Sequence, residues 1–473
     1  MKEPSTNQQG KLVPTIGLVS GILLVVSAVI GSGVFKKIAP MSAELHEPIW
    51  VLVAWLIAGV ITLFGALSNA EVASMLASAG GEYAYFKIIY NKFFAFLYGW
   101  TCFAVIRTAS IASIAYVFTQ SLNGLVTIPI IDGYFPNVDL FGIKPFENFG
   151  VKLIAIALIL FLTVFNTRGL KTGDKLNRIL TFTLIGSVLV IIILGLFSSE
   201  GNFQNIMTPS TLRPEKLTGF ALMSGLGVAV LGAFWGYEGW NNLGYIGSEL
   251  HNPKKNLPRA LGLGVLIIMS LYLMLNLVYL YIEPIDSFIA IHESKNGIAA
   301  IKVVGSFLGK AGVVAISCLI LLTTFNCTSS TILLSSRLFY AMASDKLFFK
   351  KANFIHPKYN TPSLALWYQS IWACILVLSG TFDQLTDMLI FASFIFYGAT
   401  TLGVFILRKR MPDAPRIYKV IGYPIVPAVF LVFCVGLILS TLISRPYEAL
   451  IGLGLIATGI PFYLYWNAKA NEE

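Results

Sequence analysis

The sequence predicts an all-α integral membrane protein of twelve transmembrane helices, arranged as two inverted five-helix repeats followed by two further helices. Three observations carry this reading. The 473 residues are 56% hydrophobic and only 12% charged, about half the charge of a soluble domain. The apolar residues gather into twelve runs of the length a bilayer demands, ~20 residues each. Two of those runs, the first and the sixth, are interrupted by glycine at corresponding places.

The runs lie near 16–38, 49–76, 86–120, 150–166, 177–197, 218–246, 259–282, 309–343, 363–379, 384–408, 424–443 and 447–466. The third and eighth are long enough to tilt strongly or to extend beyond the bilayer. What remains is too short for a soluble domain. The stretch before residue 15 reads as a polar tail without the cleavage pattern of a signal peptide. The chain then divides into a tail at 1–14, a first repeat at 15–200, a second at 201–408, and the last two helices at 409–473. An odd number of helices per half turns the halves over relative to each other, which is the LeuT-type 5+5 inverted repeat. The loop 121–149, with Pro129, Gly133, Pro136, Gly142 and Pro145, reads as an ordered cap, and 283–308 as a loop holding a short helix.

Charge sets the orientation. Lysine and arginine concentrate on one side of the predicted membrane, in clusters such as Lys171, Lys175 and Arg178; Lys254, Lys255 and Arg259; Lys346, Lys350 and Lys351; and Arg408, Lys409 and Arg410. By the positive-inside rule that side is cytoplasmic, and an even number of spans puts both termini there. The net charge of +10 follows from this topology. Because the basic residues are scattered over short loops, the sequence argues against nucleic-acid binding. The expected location is the inner or plasma membrane, with lipid around the helices. The five cysteines, Cys102, Cys318, Cys327, Cys374 and Cys434, all fall inside predicted spans, where small apolar packing is their ordinary role. The four histidines, His46, His251, His292 and His356, are dispersed over loops. No metal-ligand spacing occurs, and the sequence calls for no cofactor.

The two breaks carry the functional information. A membrane helix interrupted in mid-bilayer frees backbone groups that find no water, so breaks persist where they line a cavity. Paired breaks in corresponding halves point to the binding site of a secondary transporter. In the first, Gly31-Ser32-Gly33 leaves backbone amides open toward an anion at the start of a half-helix; small residues also allow close helix packing. In the second, Trp235-Gly236-Tyr237-Glu238-Gly239 exposes carbonyl oxygens suited to an ammonium group. Trp235, Tyr237 and Trp240 could close over an apolar side chain, or pack as an interfacial belt. Donors at one break and acceptors at the other describe a site for a zwitterion, and an α-amino acid is the ligand that fits.

The chain resembles the amino acid–polyamine–organocation (APC) superfamily, within it the L-type amino acid transporters and their bacterial relatives. The resemblance rests on Ile30-Gly31-Ser32-Gly33-Val34-Phe35, on Asn69-Ala70-Glu71 through Gly80-Gly81-Glu82-Tyr83-Ala84-Tyr85, and on Tyr237-Glu238-Gly239-Trp240-Asn241-Asn242 running to Glu249 and Arg259-Ala260. It continues with Ser335-Ser336-Arg337-Leu338-Phe339-Tyr340-Ala341-Met342-Ala343 and His356-Pro357 through Thr361-Pro362. It implies alternating access and exchange or uptake of amino acids. It places carboxylate binding at Ile30, Ser32, Gly33 and Val34. Ammonium binding falls to carbonyls near Ile30, Trp235 and Glu238, with Gly236 and Tyr237 in the same stretch, and Trp235 becomes the outer gate.

Two departures qualify the resemblance. Many members carry a lysine in the fifth helix in place of a sodium ion between helices one and eight; here the aligned residue is Leu184. Ser329 and Ser330, beside Thr328 in the eighth helix, are candidates for holding Na⁺ there, though such hydroxyls also bond their own backbone or a neighbouring helix. Animal members that pair with a single-span glycoprotein use a cysteine in the loop between helices three and four. The loop 121–149 has none, so no disulfide-linked heavy chain is expected.

Arg107 and Glu238 lie at membrane depth, where ionisable residues are costly and normally paired. Glu238 has three candidate partners: Arg107, a basic substrate, or a proton. Glu249, Arg259 and Arg337 fall near the inner surface, as a gate or as solvated helix ends. The reading is a secondary active transporter of L-amino acids, foremost an exchanger, with proton- or sodium-coupled symport as the alternative. A non-transporting amino acid receptor is a more distant one. An enzyme is disfavoured, because no nucleophile–base pair or ligand set lies at membrane depth.

Overall fold

The computed structural model describes residues 14–78, 80–129, 131, 145–168, 170–294, 297–379 and 382–472. Among them the regular structure is helical, apart from isolated bridge residues, including the parallel bridge between Ile16 and Leu250. The helices in chain order are α1 Leu18–Val29, α2 Gly33–Lys36, α3 Ile38–Leu45, α4 Pro48–Leu76, α5 Glu82–Ile89, α6 Lys92–Thr101, α7 Arg107–Asn123, α8 Phe149–Thr167, α9 Leu170–Leu196 and α10 Gln204–Met207. They continue as α11 Gly219–Tyr237, α12 Pro253–Ile282, α13 Ile285–Glu293, α14 Ala299–Ser344, α15 Ser363–Ser379, α16 Phe382–Arg410, α17 Ile425–Ser444, α18 Pro446–Ala457 and α19 Gly459–Glu472.

Eleven of the described helical stretches are long and apolar enough to cross a membrane. The expected ninth span is helix α15, only 17 residues, about 25 Å at 1.5 Å per residue. The two over-long runs have structural explanations. The third is cut at Tyr90, which separates α5 from α6. The eighth is cut at Gly309, whose φ of 60° and ψ of −150° only glycine adopts readily; it divides α14 into 299–308 and 310–344. The short helix expected within 283–308 is α13. The middle of the expected outer cap, 130 and 132–144, lies outside the described residues. In its described first part, the Asn123 side chain accepts the Ile128 amide at 2.7 Å.

The core is where the broken elements meet. Helix α4 runs along α12, α1 packs on α9, α12 and α14, and α7 packs on α14 and α15. In lipid, helix association rests on close packing of small residues, not on apolar burial. An added Cβ at Gly65 would come 2.5 Å from the Phe430 ring, and one at Gly264 2.7 Å from Val25. The outer faces are apolar as well: Val432 is 74% exposed and Ile443 80%. Such surface suits lipid and would be an aggregation liability in water.

Candidate functional site

Helix α1 stops because Gly31-Ser32-Gly33 supplies poor helix formers in a row. Ile30 leaves the helix with ψ 86°, and the chain resumes a helical path at Gly33. The second break comes where Glu238 turns extended, with ψ 142°. Gly239 follows at φ 105°, and Trp240–Tyr245 continues as a tight 3-10 helix. A side chain at Gly239 would also strike the Ala28 carbonyl, 2.6 Å from an ideal Cβ. That position therefore needs glycine for both conformation and space.

The two breaks touch. A Cβ built on Gly33 would fall 2.4 Å from the Gly236 Cα, so the backbones meet with nothing between them. One hydroxyl links both: Tyr272 Oη lies 3.2 Å from the Val29 carbonyl and 2.9 Å from that of Gly236. Its proton lies within reach of both carbonyls, of which that of Val29 also accepts the Gly31 amide at 2.8 Å. The Ala28 carbonyl accepts the Cys327 thiol at 3.2 Å.

Beside this contact lies a cavity of about 10 Å³, lined by Ala28, Val29, Gly31, Ser32, Gly33, Ser110, Ile114, Trp235, Glu238 and Cys327. That is room for about one water. The Ser32 hydroxyl is buried and has no hydrogen-bond partner in the protein. Of the residues singled out in the sequence, Ser32, Gly33, Trp235 and Glu238 line the cavity. Ile30, Val34 and Gly236 are buried next to it without lining it. Tyr237 turns away: its ring packs edge-on to Trp55 at 5.9 Å and against Tyr272 at 5.1 Å, and its hydroxyl donates to the Trp55 carbonyl at 3.3 Å. Trp240 lies against Tyr397, centroids 5.2 Å apart.

Behind the cavity Arg107 and Glu238 form an ion pair, Nη1 to Oε1 3.0 Å, with side chains 1% and 4% exposed. A π-helical turn, Cys102–Ile106, immediately precedes Arg107; such bulges re-aim the residues that follow. Arg107 also donates through Nε to Tyr245 (3.1 Å) and through Nη2 to Asn241 (3.2 Å). Tyr397 donates to the Glu238 carboxylate, 2.9 Å from each oxygen. The network runs on to Glu82, whose carboxylate accepts from Tyr98 (2.5 Å), Asn241 (2.6 Å) and Asn69 (2.9 Å). Two buried carboxylates thus share one guanidinium.

At the other end of the 3-10 segment, Arg337 of α14 pairs with Glu249, Nε to Oε1 3.0 Å, both buried. The Glu249 carbonyl accepts the amides of Thr15 and Ile16 (2.8 and 3.1 Å), clamping the chain ahead of α1. Arg259 is exposed. Of the three lower charges, two form a closed contact and the third is a solvated end.

The proposed cation residues separate. Ser330 Oγ lies 3.2 Å from Ser27 Oγ of α1 and donates to Asn177 of α9 at 3.2 Å. Ser329 instead faces Asn166 of α8, whose amide donates to it at 3.2 Å. Consecutive helical residues point about 100° apart, so the two hydroxyls do not converge on one centre. Leu184 is buried at 1%. The polar bridge from helix five is made earlier, by Asn177 and by Thr181, which accepts from Asn326 at 3.2 Å.

The family model described as amino acid permease matches residues 16–458, nearly the whole chain. The chain belongs to the amino acid permease family. It is 31% identical to the serine/threonine exchanger SteT of Bacillus subtilis, over 95% of each chain. It is 29% identical to the b(0,+)-type amino acid transporter 1 of Mus musculus, over 95% of this chain and 87% of that one. To the large neutral amino acids transporter small subunit 2 of the same species it is also 29% identical, over 96% and 82%. The APC resemblance read from the motifs therefore holds over most of the permease.

Sequence reasoning did not reach Ser110, Ile114 and Cys327 in the cavity wall of this permease, nor Tyr245 and Tyr397 in its charge network. A signal existed for two of them. Ser110 and Ile114 follow Arg107 by three and seven residues, the spacing of one helix face.

Proposed function

We propose that this permease exchanges neutral L-amino acids by alternating access, with substrate held between the two breaks. The observation that carries the proposal is their convergence: Ser32 and Gly33 from the first, and Trp235 and Glu238 from the second, line one cavity. Ser32 brings to it a buried hydroxyl without a partner. The substrate carboxylate takes the amides of the Ser32–Val34 stretch, those of Ile30 and Gly31 being bonded to the Val26 and Val29 carbonyls, and its ammonium takes carbonyls near Ile30, Trp235 and Glu238. Trp235, 5% exposed, closes the outer side. Since the cavity has room for about one water, helices must part to load it, as alternating access requires. Rocking of a bundle against a scaffold exposes the site alternately, in a twelve-helix LeuT-type arrangement of repeats 15–200 and 201–408 with 409–473 beside them. Lysine and arginine asymmetry supports cytoplasmic termini in an inner or plasma membrane.

Neutral side chains are favoured because Glu238 is already answered by Arg107 and Tyr397. The serine/threonine exchanger among the relatives points the same way. The absence of a cysteine from 121–149 favours a transporter that works without a disulfide-linked heavy chain. Efflux of labelled serine or threonine from proteoliposomes tests exchange: it should need an amino acid outside. Efflux into amino-acid-free buffer at the same rate would overturn it. One observation favours a second reading, proton-coupled symport. Glu82 and Glu238 share a single guanidinium, so the buried cluster has a place for a proton.

A further inference from the structure

Two neighbouring asparagines follow the second break, and the closed protein uses the side chain of one. Asn241 commits both ends: Nδ2 donates to Glu82 at 2.6 Å, and Oδ1 accepts from Arg107 and from Tyr397, each at 3.2 Å. Asn242 is 1% exposed, yet neither its Oδ1 nor its Nδ2 has a hydrogen-bond partner among the described residues. A buried carboxamide unpaired at both ends is costly, and such a group calls for an explanation.

The backbone says where it points. Trp240–Tyr245 is a 3-10 helix, in which consecutive residues diverge by about 120° and residues three apart eclipse. Asn242 therefore leaves the face of Asn241 and stands over Gly239, whose carbonyl accepts the Asn242 amide at 3.1 Å. An ideal Cβ on Gly239 would meet the Ala28 carbonyl at 2.6 Å and Asn242 Nδ2 at 3.4 Å. The orphaned side chain thus lies at the seam between α1 and the 3-10 segment. Gly21 of α1 faces Leu243 across the same seam, a Cβ there falling 3.7 Å from the leucine. These are the parts of the two broken helices that the proposed orientation puts on the cytoplasmic side. Asn242 does not line the cavity between the breaks. Along the chain it comes between that cavity and the Glu249–Arg337 pair.

We propose that Asn242 is a second substrate station, which holds the amino acid's main-chain groups once the seam parts toward the cytoplasm. Oδ1 accepts from the ammonium, and Nδ2 donates to the carboxylate. The inference rests on the alternating-access reading above. A carboxamide suits a zwitterion because it offers an acceptor and donors without net charge, so it binds either end and repels neither. Its groups are unpaired in the closed form and are met by substrate in the open one. It therefore adds affinity on the cytoplasmic side alone.

The test uses the full-length protein in proteoliposomes of one orientation, with labelled L-serine as substrate. KM is measured from outside with serine saturating within, then from the cytoplasmic side with serine saturating outside. Asn242→Ala and Asn242→Leu should each raise the cytoplasmic KM roughly tenfold, the effect of losing hydrogen bonds to charged groups. The outer KM should stay at the parent's value. Asn242→Gln, which keeps both polar groups one methylene farther out, should recover part of the loss. If the leucine overpacks the seam, the alanine variant, which adds no atom, decides alone. An equal rise on both sides would overturn the proposal by assigning Asn242 to the cavity between the breaks. Unchanged KM on both sides would overturn it too, and a lowered melting temperature alongside would make the carboxamide a holder of buried water. Failure of the exchange reading shows separately, as serine efflux from the parent without outer amino acid. The cytoplasmic KM is then read from that efflux, so the two failures stay apart.

Discussion

Gly33 and Gly236 touch through their backbones, and each belongs to a different broken helix. The missing side chain at Gly33 thus answers to the protein before it answers to any ligand. The resemblance assigns Gly33 to carboxylate binding; in the structure a Cβ there would first strike the Gly236 Cα at 2.4 Å. Backbone cannot rotate aside as a side chain can, so the two breaks would have to separate.

Gly33→Ala should accordingly hold the outer side open. Overpacking of about 1–3 kcal/mol shifts the closed population by roughly five- to 150-fold. The check is the rate at which a cysteine placed at Ser110, in the cavity wall, reacts with an impermeant thiol reagent from outside. Gly33→Ala should raise that rate and slow exchange. Unchanged labelling with lost transport would return the glycine to a role in substrate binding alone.

The Arg107–Glu238 pair should be strongly non-additive. Removing one member of a buried ion pair leaves an uncompensated charge and costs about 3–5 kcal/mol. Arg107→Ala and Glu238→Gln should each lower the melting temperature of the purified protein, and the double variant should lose less than the sum. Neutral amino acid transport should follow the same pattern. Strict additivity in both readouts would mean that the two side chains do not act on each other.

How much of this was legible depends on whether the signal was local. The membrane class, the two breaks and the charge at Arg107 and Glu238 all come from short stretches, and the structure brings Ser32, Gly33, Trp235 and Glu238 to one cavity. What stayed hidden is what distant segments do to each other. Tyr237 read as a substrate-facing aromatic because it sits between glycines, yet Trp55 and Tyr272, far off in sequence, draw it away. Ser329 and Ser330 read as a pair because they are adjacent, and helix geometry separates them. Tyr272 binds both breaks through one hydroxyl, which no motif announces.

Glu249 and Arg337 should act as the inner latch. The pair is buried, and the Glu249 carbonyl also fixes the amides of Thr15 and Ile16. Glu249→Gln weakens the charge but preserves shape and the backbone contacts. It should raise hydrogen exchange at the amides of residues 15–18 several-fold while leaving Gly33 and its neighbours protected. Equal protection in parent and variant would reduce the ion pair to a packing element.

Glu82 should make stability depend on pH. It lies on α5, outside the membrane-spanning segments, and its carboxylate bonds Asn69, Tyr98 and Asn241. Burial pushes the Glu82 carboxyl above its usual value of 4.5, outweighing the opposing pull of the Tyr98 and Asn241 hydrogen bonds and the Arg107 charge. The folded protein therefore holds this proton more tightly than the unfolded chain does. For a carboxyl raised in the fold, the stabilisation is complete below the unfolded value. It is lost as pH climbs from about 4.5 through the raised value. Thermal unfolding at a series of pH values should show the parent losing stability across that window, with Glu82→Gln much flatter. If proton coupling uses this group, the variant should also carry neutral amino acids without responding to an imposed pH gradient. Parallel stability curves for parent and variant would mean that the carboxylate stays ionised in the fold. The Arg107 charge and the hydrogen bonds from Asn69, Tyr98, Asn241 and Thr400 would then outweigh burial, and the proton of the second reading would have to reside on Glu238.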